Sequence, residues 1–190
     1  FNPPEKKMGW CASDTRSIFF KDMRIPKSAI LGNPKKGFKQ FLQTLTSGRI
    51  TIGALSIGTA QGAFNRALAY SQEREAFGKS INRFQGISFK LSDMATQIEA
   101  ARHLVYYAAW KKDQGLPVIR EAAMAKLFSS ETAMQVTTEA IQVLGGYGYI
   151  KEYDVERFFR DAKILEIGEG TSEIQRMIIA RDLIQSVQTV

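Results

Sequence analysis

The sequence predicts a mainly α fold, an antiparallel helical bundle preceded by a short β segment. Apolar residues recur at helical spacing through most of the chain after residue 33. The periodic stretches are long, and short Gly- and Pro-marked breaks separate them, as in bundles of antiparallel neighbours. The first 33 residues differ in kind, being Pro-rich with an aromatic and β-branched run.

Residues 1–33 hold Pro3, Pro4 and Pro26 of the five prolines. Residues 17–25, Ser-Ile-Phe-Phe-Lys-Asp-Met-Arg-Ile, predict a strand, and residues 8–12 a shorter one. Two strands do not make a stable sheet alone. The segment 1–33 is therefore expected to be the end of a larger β-domain, with 34–190 as the helical bundle domain. The first residue is Phe1, so the chain is expected to start inside a longer sequence or to have been processed.

Gly32-Asn33-Pro34 breaks the chain. Residues 37–73 then carry Phe38, Phe41, Leu42, Leu45, Ile52, Leu55, Phe64 and Leu68 at helical spacing. Gly53, Gly58 and Gly62 lie within this stretch. Each glycine costs a helix about 1 kcal/mol relative to alanine, which is tolerable where helices must approach closely. A loop over 76–83 leads to a second helical pattern over 84–113, with Ile87, Leu91, Met94, Ile98 and Ala101. Gly115-Leu116-Pro117 ends it. The third helix is expected over 118–144, stopped by Gly145-Gly146. A short helix near 154–160 and a last one to about residue 186 complete the bundle.

Composition excludes several function classes. Hydrophobic residues make up 44% and charged residues 24%, ordinary for a globular protein. Cys11 is the one cysteine, so no internal disulfide forms and a reducing compartment is expected. Cys11, beside Trp10, is expected to be buried and inert. His103 is the one histidine and cannot build a multi-histidine metal site, so no metal is expected. No apolar run reaches membrane-spanning length, and no signal peptide is visible. The net charge of +7 is scattered among acids, without a dense basic block. That favours a solvated basic surface suited to phosphate-bearing ligands over nucleic-acid binding.

The segment Ile167-Gly168-Glu169-Gly170-Thr171-Ser172-Glu173-Ile174-Gln175-Arg176 carries the most chemical information. A lone carboxylate lies between two glycines just ahead of a helix, with Thr171 as a good N-cap. A base and the free amides of a helix start would meet here, which suits proton abstraction beside a polarised carbonyl. The same residues also suit an ordinary Gly-rich turn with a capping carboxylate.

Further strings occur in a fixed order. They are Ser47-Gly48-Arg49-Ile50, Arg74-Glu75-Ala76-Phe77-Gly78-Lys79 with Phe84-Gln85, and Phe89-Lys90-Leu91-Ser92-Asp93-Met94-Ala95. After them come Gln142-Val143-Leu144-Gly145-Gly146-Tyr147-Gly148, Arg160-Asp161-Ala162-Lys163 and the Glu169 segment. In this order they resemble the C-terminal half of the acyl-CoA dehydrogenase family over nearly the whole chain. The resemblance implies a C-terminal four-helix bundle, with the early segment as the end of a central β-domain. It also implies FAD, an acyl-CoA substrate, a tetramer built around the bundles, and electron transfer to an electron-transfer flavoprotein. The implied reaction is α,β-dehydrogenation to a trans-2-enoyl-CoA.

Residue by residue, Glu169 matches the family's catalytic base. Some members carry the base immediately before the arginine that matches Arg49; here that position is Gly48, which has no side chain to act as one. Arg74 and Gln85 match positions that hold the FAD pyrophosphate and adenine side, usually in a neighbouring subunit, and a guanidinium fork suits phosphate. Phe77 matches a position near the cofactor, although Phe77 and Phe84 also read as packing residues. Gln142, Val143, Leu144, Gly145 and Gly146 match another FAD contact, and Thr171, Ser172 and Glu173 a further one. Arg49 and Gly170 are the substrate-side candidates. A carboxylate commonly stands three residues before Arg49, where this chain has Thr46. Many members carry tyrosine where this chain has Gly168, so its acyl pocket is expected to be open to branched, cyclic or bulky acyl groups.

Two other functions fit the same residues: an oxidase-like member that reduces oxygen, or a catalytically silent helical oligomerisation module. The implied location is cytoplasmic in a bacterium or archaeon and the mitochondrial matrix in a eukaryote.

Overall fold

A computed structural model describes residues 1–187. Helix α1 spans Gly37–Glu73, and a two-stranded antiparallel hairpin follows, β1 (Glu75–Ala76) and β2 (Lys79–Ser80). After it come α2 (Gln85–Asp113), α3 (Ile119–Leu144), α4 (Gly146–Tyr149), α5 (Val155–Ile167) and α6 (Ser172–Val187). The expected bundle is present, and residues 188–190 of the expected bundle domain lie outside the described residues.

Helix α3 is the central element, packed against α1, α2, α5 and α6. Its sequence explains this. Ala122, Ala125, Ser129, Ala133, Val136 and Ala140 are buried, which leaves a narrow helix that neighbours approach on several sides. The larger core side chains, Ile57, Met94, Ile98 and Val105, come from α1 and α2. Close approach is literal at Gly53, where a β-carbon would lie 2.8 Å from Val105 Cγ2 and 3.3 Å from Ser129 Oγ. At Gly62 it would meet the Phe158 ring at 2.8 Å. Gly58 faces open space. The small residues of α1 thus serve helix contact at two of these three positions.

The α3 stop falls where the glycines predict. Gly145 is left-handed (φ 60°) and donates its N–H to the carbonyls of Ile141 and Gln142. The helix expected near 154–160 continues to Ile167. Val155, Ala162 and Leu165 give it a buried stripe that runs the full length.

The expected strands over 8–12 and 17–25 do not form. Two backbone hydrogen bonds, Asn2 N–H to Ser17 O and Glu5 N–H to Thr15 O, join the arms of residues 2–17 without a ladder. Ile18, Phe19 and Phe20 are exposed. No third strand lies beside them among the described residues, and two unpacked strands are too few to hold. Near residue 10 the segment docks on α5. Trp10 N–H donates to Asp161 Oδ1 at 2.6 Å, and Arg160 Nη1 donates to Met8 O at 2.9 Å. Cys11 is exposed, contrary to expectation, because the Trp10 ring turns toward the core and the adjacent residue turns away.

Candidate active site

Helix α5 ends as Gly168 donates its N–H to Ile164 O at 2.8 Å. The next two residues are both left-handed, Glu169 at φ 56° and Gly170 at φ 95°. A left-handed glutamate is uncommon and needs support from its surroundings. Support comes from below. Lys126 Nζ, on α3, donates to Gly170 O at 2.8 Å, and Gln175 Nε2, on α6, donates to the same oxygen at 2.8 Å. Gln175 Nε2 also reaches Glu169 O at 3.2 Å. Thr171 Oγ1 then caps α6 by accepting from Ile174 N–H at 3.4 Å. Its own backbone amide and the Thr171 hydroxyl hold the Glu173 carboxyl below the usual glutamate range.

Opposite this turn stands α1. The Glu169 carboxylate rests on the bare backbone of Gly48, where a β-carbon would overlap Oε2 and lie 2.9 Å from Cδ. Arg49, next along α1, is buried. Burial draws its guanidinium below the usual arginine value, and the nearby Glu169 charge opposes that shift. Arg49 Nε, Ser172 Oγ and Gln175 Oε1 are all buried without a hydrogen-bond partner. Buried polar atoms are nearly always paired, so orphans grouped around one turn mark a place where a polar ligand completes the set. Glu169 itself is half-buried and reachable.

Arg74, Phe77, Val143, Leu144, Gly145 and Gly146 gather elsewhere, in the lining of a cleft of about 640 Å³. Arg74 closes α1 and lies 5.9 Å from the centre of the Tyr147 ring. Tyr70, Tyr147 and Tyr153 form an aromatic cluster beside it, with centroids 5.0–6.2 Å apart. No carboxylate neutralises Arg74 among the described residues. A β-carbon on Gly145 or Gly146 would meet nothing within 4 Å, so the backbone there is open to a ligand. An unpaired guanidinium among aromatic rings and bare backbone fits a flat ligand that carries phosphate.

The expected site residues therefore fall into two groups, one around the Glu169 turn and one in the Arg74 cleft. Gln85 and Gln142 are exposed and do not line the cleft. Phe77 is 97% exposed, so it is not the packing residue its apolar side chain suggests. It stands at left-handed φ 51° at the hairpin tip, its ring 6.1 Å from that of Phe84. Ser172 is buried and Glu173 exposed at the start of α6. His103 is exposed beside Glu99, with Nε2 3.4 Å from Oε1. No three His, Cys, Asp or Glu side chains gather as a metal site among the described residues.

Lys126 is the functional candidate that sequence reading missed. It is a fully buried lysine. Burial lowers its pKa, opposed chiefly by the Glu166 charge. A signal exists, because Lys126 stands four residues after Ala122 and three before Ser129, inside the buried stripe of α3.

Residues 35–184 match the family described as acyl-CoA dehydrogenase, C-terminal domain. The chain belongs to the acyl-CoA dehydrogenase family. It is 56% identical over 96% of its length to the probable acyl-CoA dehydrogenase YngJ of Bacillus subtilis, covering 48% of that protein. It is 51% identical over 93% of its length to the short-chain specific acyl-CoA dehydrogenase of Clostridium acetobutylicum, covering 46% of it. Among solved structures, butyryl-CoA dehydrogenase from Megasphaera elsdenii superposes with a TM-score of 0.94 at 49% identity, over 96% of this chain and 48% of that one. The chain thus spans about half the length of the curated relatives it matches. Its helical bundle is the bundle of this family.

Proposed function

We propose that this chain is the C-terminal part of a FAD-dependent acyl-CoA dehydrogenase, with Glu169 as the base that removes the α-proton of an acyl-CoA thioester. The observation that carries this reading is the Glu169 turn. A half-buried carboxylate is held in a left-handed conformation against a residue without a side chain, at the start of a helix. An α-proton beside a thioester is weakly acidic, so its removal needs a fixed base and donors for the developing enolate oxygen. Glu169 supplies the base, and its backbone N–H faces the role of donor that the family resemblance implies. Arg49 and Gly170 border the substrate. FAD, when bound, supplies the acceptor for the hydride that leaves the β-carbon, so that the proton on Glu169 and this hydride together balance formation of the trans-2-enoyl-CoA.

Arg74, Phe77, Gly145 and Gly146 are proposed to hold FAD from the cleft, with Val143 and Leu144 as its floor. Gln85 and Gln142, exposed outside that lining, are proposed to reach parts of the cofactor beyond it. Thr171, Ser172 and Glu173 form the second cofactor contact, at the helix start. Separation into two groups fits a bundle that serves one site with its Glu169 end and a neighbour's site with its Arg74 end. Ile174, Met177 and Ile184 leave α6 with an exposed apolar face, which supports assembly, with a homotetramer as the proposed form. Residues 1–33 are proposed to complete a β-domain and 34–190 to form the bundle domain. An electron-transfer flavoprotein is the proposed electron acceptor. No helix among the described residues is long and apolar enough to cross a membrane, and the proposed location is the cytoplasm in a bacterium or archaeon and the mitochondrial matrix in a eukaryote.

The proposal is tested by loading the protein with FAD, removing free cofactor, and adding a series of saturated acyl-CoAs while the flavin spectrum is recorded. Bleaching by an acyl-CoA is the expected result. A folded helical protein that retains no flavin would instead identify this chain as an assembly module.

A further inference from the structure

Lys126 is the largest fully buried side chain among the described residues, and its ammonium meets a backbone carbonyl rather than a carboxylate. An ammonium so placed is expensive compared with an apolar side chain of the same volume. Satisfying Gly170 O does not require it, since Gln175 Nε2 already donates to that oxygen at 2.8 Å. Two donors from two different helices, α3 and α6, therefore hold this one carbonyl. That carbonyl belongs to the second of two consecutive left-handed residues, the first of which is Glu169. Gln175 Nε2 also reaches Glu169 O at 3.2 Å, so the anchored end of the turn is tied to the residue that carries the carboxylate. The groups that face Lys126 are Glu166, Arg49, Glu131 and Glu173, contributed by α5, α1, α3 and α6. The lysine therefore stands where every element around the turn converges.

From this geometry we propose that Lys126 is a positioning residue for the proton abstraction: its buried ammonium clamps the Gly170 carbonyl and so fixes where the Glu169 carboxylate points. The inference rests on the reading of Glu169 as the base. The lysine touches neither substrate nor cofactor in this role. It acts through the backbone of the turn, and its effect falls on the chemical step rather than on acyl-CoA binding, because misplacing a reacting group by about 1 Å costs on the order of a hundredfold in rate.

The test uses the full-length holoprotein with Lys126→Met, Lys126→Gln and Glu169→Gln, and butyryl-CoA as the probe. Lys126→Met is expected to lower kcat by roughly ten- to a hundredfold, with KM within about twofold, and with flavin content and melting temperature close to the parent. Lys126→Gln, which keeps a donor, is expected to recover part of that loss. In the protein without acyl-CoA, Lys126→Met should speed amide hydrogen exchange in residues 169–173 and leave α3 unchanged. A Lys126→Met protein with parental kcat and parental exchange overturns the clamp. So does a loss of kcat that accompanies lost flavin or lost protection across α3 in both Lys126 variants, because the lysine is then merely structural. Parental turnover in Glu169→Gln overturns the base assignment instead, and the exchange experiment still decides whether Lys126 holds the turn.

Discussion

The carboxylate of Glu169 occupies the space that a side chain on Gly48 would need: a β-carbon there would overlap Oε2 and lie 2.9 Å from Cδ. Some family members place the base at the position of Gly48. In this chain the two positions compete for one volume, so only one of them can carry a carboxylate in its present conformation.

Gly48→Ala is accordingly expected to displace the Glu169 side chain without unfolding α1, where alanine is the better helix former by about 1 kcal/mol. Turnover should fall by roughly tenfold or more through misplacement of the base, while the melting temperature holds or rises. Steady-state kinetics beside a thermal melt would check this. Unchanged kcat would mean that Glu169 does not use the Gly48 face.

Gly53 and Gly58 belong to the same helix and should respond oppositely to alanine. Gly58 faces open space, so Gly58→Ala is expected to stabilise the chain by about 0.5–1 kcal/mol. At Gly53 the new methyl would lie 2.8 Å from Val105 Cγ2. Overpacking of that kind costs about 1–3 kcal/mol and should outweigh the helix-propensity gain. Chemical denaturation of the pair against the parent gives the two signs.

Acid should release residues 1–12 from α5. Arg160 grips the Glu156 carboxylate through Nε at 2.6 Å and Nη2 at 3.0 Å while its Nη1 holds Met8 O. That fork holds the Glu156 carboxyl below the usual glutamate range. A depressed carboxylate pKa contributes stability that is present above the unfolded value, about pH 4.3, and lost as pH falls through the lower folded value. Trp10 fluorescence in a Trp110→Phe background should shift below about pH 4.3, before the helical signal at α3 is lost. A Trp10 transition that coincides with global unfolding would contradict this. So would one that is insensitive to Glu156→Gln.

Gly168 is proposed to leave room at the acyl end. Its backbone, at φ −63° and ψ 155°, suits any residue, and a β-carbon there would meet only Ile164 O at 3.4 Å. Gly168→Tyr is therefore expected to fold normally and to narrow the pocket. The ratio of kcat/KM for branched over straight short acyl-CoAs should fall by roughly tenfold or more, given about 1–3 kcal/mol per misfitted group. An unchanged ratio would show that position 168 does not face the acyl chain.

The bundle was legible because long apolar periodicity and glycine breaks determine helices almost locally. Gly145 and the Gly115-Leu116-Pro117 break both end helices where expected. The strands over 8–12 and 17–25 do not form because a β-pattern has meaning only with partners to pair with, and no further strand flanks them among the described residues. Glu169 stood out between its two glycines, yet nothing local revealed that Gly48, more than a hundred residues earlier, would receive its carboxylate. The exposure of Cys11 and of the Phe77 ring has one cause. Burial is decided by which way a turn presents its side chains, and both sit beside left-handed residues or are one. Lys126 went unnoticed because a lysine in an alanine-rich helix looks like a solvated charge until its register in the buried stripe is counted.

In the proposed reaction Glu169 removes the α-proton. The most direct measurement is the flavin spectrum of the FAD-loaded Glu169→Gln protein on addition of an acyl-CoA that bleaches the parent. Glutamine keeps the size of the side chain and a carbonyl acceptor but lacks the basic carboxylate. The variant is expected to bind the acyl-CoA and to remain oxidised, with reduction slowed by on the order of 10²–10⁴-fold or more. Bleaching at the parental rate would contradict this role and move the base to another residue.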